Sequence, residues 1–217
     1  MKDIINGNKT YFIGFGLLFS IALFFQMSLG KEACFLLVNQ HHSKWGDILF
    51  PYITYFGDGA TVVFITLVLL FYSYRNAVLL GSIYLISSQV AQLLKRTIFS
   101  ETMRPSKYFE HIPNIHYVEG VELHKMMSFP SGHTTSIFAL MTFLAIITKN
   151  KNWGLVYLFV ACLGAYSRMY LAQHFLEDLL AGSLIGLLCA SLIMAIFPTF
   201  KWYQSISVDA ALFKKKK

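Results

Sequence analysis

The sequence predicts an all-α bundle of six transmembrane helices, integral to a membrane, and three observations carry that reading. Apolar residues make up 56% of the 217-residue chain against 13% charged, and the mean hydropathy is +0.55, a balance that excludes an ordinary soluble globule. Apolar stretches of spanning length recur along the chain, joined by short polar turns and a single long polar connection. The cations are shared unequally between the two sets of connections. The length suits one domain covering residues 1–217.

Residues 11–29 are almost unbroken apolar and read as a retained anchor, since no small-x-small cleavage site follows them. Residues 31–56 are mixed. His41-His42-Ser43-Lys44 reads as an exposed turn, and residues 45–56 as an amphipathic interfacial helix with Trp45, Tyr52 and Tyr55 at headgroup level. Asp58, between Gly57 and Gly59, caps the next helix, with a place near a functional site as the alternative. Residues 61–74 form a second span, Arg75-Asn76 a turn, and residues 77–94 a third span whose Ser87, Ser88, Gln89 and Gln92 face other helices. The 96–129 connection is long enough to be functional. Residues 134–148 and 153–170 follow as spans, and the last, opened by His174, runs to 197 and stops at Pro198.

With six spans, one side of the membrane holds ten cations against Asp3 and Asp209, and the other holds eight cations against nine acids. The excess puts both termini in the cytoplasm, and it persists if Lys214 to Lys217 are set aside. The net charge of +7 thus serves topology, and no nucleic-acid partner is predicted. Three connections, 31–56, 96–133 and 168–178, then meet at the outer face. Cys34, Cys162 and Cys189 give no disulfide framework, and Cys34 is not a Cys-x5-Arg nucleophile because Gln40 stands in the arginine's place.

The chemistry gathers in residues 130–178. His174 and Asp178 are four apart, which on a helix makes them neighbours; the carboxylate can hold one imidazole nitrogen and leave the other as base or nucleophile. A purely structural hydrogen bond is the plain alternative. Arg168, Lys95, Arg96 and Arg104 can gather around an oxyanion, although each alone reads as a headgroup-facing cation. Pro130-Ser131-Gly132-His133 opens an apolar helix, and the free amides of such an N-terminus favour an anion, with a simple helix cap as the alternative. His133 can supply the acid that a phosphate ester's leaving oxygen needs. His111, His116 and His124 match no regular ligand spacing and read as a solvated loop, with Tyr108, Phe109 and Tyr117 laying it on the membrane.

These residues resemble the type 2 phosphatidic acid phosphatase (PAP2) superfamily, whose motifs in order are K-x6-R-P, P-S-G-H and S-R-x5-H-x3-D. Pro130 to His133 match the second, and Ser167-Arg168, His174 and Asp178 match the third. The first departs: Arg104-Pro105 is present, but Thr97 stands where the lysine belongs, and Lys95 lies two residues earlier. A two-residue insertion returns Lys95 to the site, with Lys107 or Arg96 as alternatives. The resemblance implies that His174 attacks phosphorus, Asp178 orients it, and His133 protonates the leaving oxygen and then activates water. It further implies that Lys95, Arg104, Ser131, Gly132 and Arg168 hold the phosphoryl oxygens; the sequence shows no acidic cluster suited to magnesium, so action without a metal or cofactor is expected. The implied protein is a membrane lipid phosphatase, with a phosphorylated lipid and membrane lipids as partners and no protein partner predicted; the compact chain without an organelle signal points to a bacterial inner membrane. Its substrate is an undecaprenyl-type diphosphate, phosphatidylglycerol phosphate, phosphatidic acid or a lipid A phosphate. A lipid-to-lipid phosphotransferase and a non-catalytic lipid-binding protein are the rivals; a transporter lacks the internal repeat it needs.

Overall fold

A computed structural model describes residues 1–207 and 211–212; the tail from Lys214 to Lys217 lies outside them. Among the described residues every regular element is a helix, with no strand. α1 (Lys2–Gly7) leads into α2 (Lys9–Asn39), which outruns the expected span and bends at Gly30, whose φ of 76° a residue without a Cβ adopts freely. Leu17, Phe24 and Met27 on α2 are exposed, as side chains facing lipid tails are.

α3 (Lys44–Ile53) begins at Ser43, whose Oγ accepts from the Gly46 amide at 3.1 Å. Trp45, Tyr52 and Tyr55 are exposed. A 3₁₀ turn (Thr54–Gly57) leads to α4 (Gly59–Leu70), and the two segments form a pair bent by 52° that is long and apolar enough for one broken span. Alone, the 12 residues of α4 reach only about 18 Å, well short of the hydrocarbon core. Asp58 caps α4 as expected, its Oδ1 accepting from Ala60 N at 2.8 Å. The following turn is at Phe71–Ser73 rather than Arg75-Asn76, because Ser73 Oγ caps α5 (Tyr74–Thr97) and draws both residues into its first turn.

α6 (Pro105–Tyr108) sits inside the long connection. α7 (Gly132–Ile147), α8 (Trp153–Tyr170), α9 (Leu176–Ile196) and the short α10 (Lys201–Gln204) follow. By length and composition three helices among the described residues can cross a membrane, or four with the bent pair, where six were expected. α7 falls short with 16 residues, and Ser167, Arg168 and several tyrosines dilute the hydropathy of α8. α7 is the centre of the bundle, with eleven of its residues buried. α9 lies directly on it: a Cβ on Gly182 would stand 2.6 Å from the Ser131 carbonyl oxygen, and one on Gly186 would meet the Thr135 carbonyl. Tyr11 and Thr142 pin α2 to α7 through a buried hydroxyl pair at 2.8 Å.

The connection between α5 and α7 is folded on itself by Arg104 N to Lys125 O (2.9 Å), Ser128 N to Thr102 O (3.1 Å) and Ser106 Oγ to His124 O (2.6 Å). His116 is only partly exposed and has protein partners: its ring Nε2 meets Asp47 Oδ1 at 2.9 Å, and the ring stacks on His42. Phe109 does not lie on a membrane surface. It is buried between Phe35 and Phe175, because the loop folds its own apolar residue under the turn that carries His174.

Candidate active site

The turn between α8 and α9 presents His174, which is 1% exposed. His174 precedes α9 instead of opening it, so its contact with Asp178 does not come from stacking along a helix. Asp178, in the first turn of α9, folds back: its Oδ2 accepts from Phe175 N at 2.9 Å and from Ser128 Oγ at 2.5 Å, and lies 3.2 Å from His174 Nδ1. A carboxylate there places a proton on Nδ1 and leaves Nε2 with its lone pair. Burial pushes the His174 imidazole well below the ordinary histidine value, and Arg104, Arg168, Lys95 and His133 push in the same direction. The ring is therefore neutral at physiological pH, as a nucleophile must be.

Three cations surround it, each less than a tenth exposed: Lys95, Arg104 and Arg168. Among the described residues Asp178 is the one buried acid against them. Burying an uncompensated charge is costly, so this excess calls for an anion. Arg104 is anchored by Nη1 on Gln173 Oε1 (3.0 Å) and Nε on Met126 O (3.1 Å); burial pushes its pKa down with Asp178 opposing, and a guanidinium remains charged. Arg168 Nη1 donates to Thr54 Oγ1 at 2.7 Å, while its buried Nε has no partner among the described residues. Lys95 lies within electrostatic reach of Arg104, Arg168 and Asp178. Thr97 and Arg96 are exposed, and Lys107 pairs with Glu110 at the surface. Of the candidate lysine substitutes, the fold thus brings in Lys95 alone.

Ser131 is buried and caps α7, its Oγ accepting from Thr134 N at 3.3 Å and Thr134 Oγ1 at 2.9 Å. Its amide donates to Asp178 O at 3.1 Å, which locks the start of α7 to the start of α9. Gly132 and His133 follow in the first turn, where amides have no intrahelical acceptor. His133 borders a cavity of about 270 Å³ shared with Arg168, Thr54, Tyr55, Glu122 and Gln173. Ser128, Gln173 and Thr54 escaped sequence reasoning. Gln173 also ties the long connection to the site through Nε2 to Glu122 O at 2.8 Å. Its place beside His174 was the one available hint.

A profile of the PAP2 superfamily matches residues 76–202. The lipid A 4'-phosphatase of Porphyromonas gingivalis is 31% identical over 122 residues, 56% of this chain and 50% of that protein. The lipid A 4'-phosphatase of Bacteroides thetaiotaomicron is 32% identical over 85 residues, 39% of this chain and 37% of that protein. The chain thus spans half or less of the length of these curated relatives. Two crystal structures share the fold at 22% identity. Aquifex aeolicus LpxE superposes with a TM-score of 0.67 over 76% of this chain and 94% of its own. The PAP2-type phosphatidylglycerolphosphate phosphatase of Bacillus subtilis superposes with a TM-score of 0.64 over 87% and 96%. The profile covers more than half of the chain, including the second and third motifs and the approach of Lys95 and Arg104 to them, and on that match this protein belongs to the PAP2 superfamily.

Proposed function

We propose that this protein is an integral membrane lipid phosphatase that works through a phosphohistidine. The observation that carries the reading is the excess of buried cations beside a neutral histidine, with the buried Arg168 Nε lacking a partner among the described residues. His174 Nε2 attacks phosphorus, the bond from phosphorus to the lipid oxygen breaks, and His133 gives that oxygen a proton. His133, now neutral, takes a proton from water as the water oxygen attacks the phosphohistidine and frees His174. Lys95, Arg104, Arg168 and the first amides of α7 meet the phosphoryl oxygens, while Ser131 holds the helix that offers those amides. Phosphoryl transfer is chiefly positioning and charge stabilisation, and here fixed cations take the part that metals play elsewhere.

The names of the two curated relatives favour a lipid A phosphate over the undecaprenyl, phosphatidylglycerol and phosphatidic acid phosphates. We further propose that residues 1–217 act as one domain with six membrane passes, α7 and α8 among them. The charge balance of the connections supports termini in the cytoplasm and a site at the outer face of the inner membrane. The test is phosphate release in detergent with excess EDTA, wild type against His174→Ala, over the four lipid classes. The expected outcome is release that survives EDTA, is fastest with lipid A, and falls by at least about 10³-fold in the variant. Release that EDTA abolishes would overturn the metal-free mechanism.

A further inference from the structure

Asp58 lies far in sequence from the phosphoryl-transfer residues, yet its Oδ2 is 3.9 Å from His133 Nε2. Two glycines press its turn into place. A Cβ on Gly57 would stand 2.8 Å from the His133 carbonyl oxygen, and one on Gly59 would collide with the Tyr84 hydroxyl. The other carboxylate oxygen is held by Ala60 N at 2.8 Å, so Oδ2 stays turned toward the histidine. Capping α4 needs only an acceptor, which serine or asparagine supplies as well; the negative charge is surplus to that task.

The surroundings of His133 give the charge a purpose. Arg168, Arg104 and Lys95 all act on its ring, and Asp58 is the acid that answers them. A proton donor must be an imidazolium before it gives up its proton, and burial first, with the three cations adding to it, disfavours that state. We propose that Asp58 is a positioning residue for His133, orienting its ring and balancing the imidazolium charge beside the phosphate-binding cations. The proposal rests on the reading of His133 as the acid. As the phosphorus–oxygen bond breaks, its electron pair goes to the leaving oxygen. The proton comes from the His133 nitrogen turned away from Asp58, which stays ionised. When the neutral ring later takes a proton from water, the ion pair re-forms.

The test uses the full chain in detergent and compares kcat/KM, which covers the steps through leaving-group departure, on two phosphomonoesters. Short-chain phosphatidic acid expels a poor leaving group that needs the proton; p-nitrophenyl phosphate expels a good one that scarcely does. Asp58→Asn keeps the cap and removes the charge, and should lower kcat/KM about 10- to 100-fold on phosphatidic acid but less than about threefold on the aryl ester. Asp58→Ser should match it, and Asp58→Glu should restore part of the phosphatidic acid rate. His133→Ala should show the same selectivity with a larger loss. Equal losses on both esters in Asp58→Asn and Asp58→Ser, with selectivity kept in His133→Ala, would overturn the role of Asp58. Loss without selectivity in His133→Ala would overturn the acid role on which it rests.

Discussion

Asp178 Oδ2 serves three neighbours at once: the Ser128 hydroxyl, the Phe175 amide and the His174 ring. The same atom that closes the N-terminus of α9 also orients the proposed nucleophile. The burial that keeps His174 neutral has a consequence for stability. Its folded pKa lies below the unfolded value, so above about pH 6.5 both states are neutral and nothing is lost. As pH falls below that value the unfolded chain takes up a proton that the folded chain refuses, and stability drops by at most about 1.4 kcal/mol per pH unit. Thermal unfolding in detergent between pH 5 and 7 should show this decline, and His174→Asn should make it shallower; an unchanged slope would place the acid sensitivity elsewhere. Motif spacing made His133, Arg168, His174 and Asp178 legible in the sequence. Ser128, Gln173 and Thr54 were not, because a serine, glutamine or threonine carries no signature until the fold shows what it holds.

Among the elements, the pairing of α9 with α7 governs how the two ends of the site meet. Gly182 and Gly186 remove the side chains that would hold the backbones apart, and the Ser131–Asp178 backbone bond sits at the top of that contact. Gly186→Leu should lower the unfolding temperature of the detergent-purified protein, at an overpacking cost of about 1–3 kcal/mol. Gly16→Leu, on open surface of α2 with nothing within 4 Å, should leave it unchanged, and equal effects of the two would refute the close-packing account. Hydropathy located the apolar stretches but not the kink at Gly30 or the bend at Asp58. Those breaks depend on single residues at chain crossings, which an average over a window erases.

At the scale of the molecule, the proposed outer site requires the 96–129 connection and the 149–152 turn to lie on opposite sides of the membrane. In a protein whose three cysteines are replaced by serine, Glu119→Cys should react with an impermeant thiol reagent on intact cells, and Asn150→Cys only after permeabilisation. The reverse pattern would place the site in the cytoplasm. Composition alone was enough for a helical membrane protein, since a polar backbone in lipid must satisfy its own hydrogen bonds and an apolar helix does so within itself. Local spacing was enough to nominate the residue types of the candidate site, because each motif is short and its members are neighbours along the chain. Which lysine enters the site, which loop residues are buried beneath it, and that Asp58 stands beside His133 were decided by the packing of α3, α5, α7 and α9 against one another. Contacts between residues scores of positions apart depend on how the whole chain shares its buried volume, and no local pattern records that.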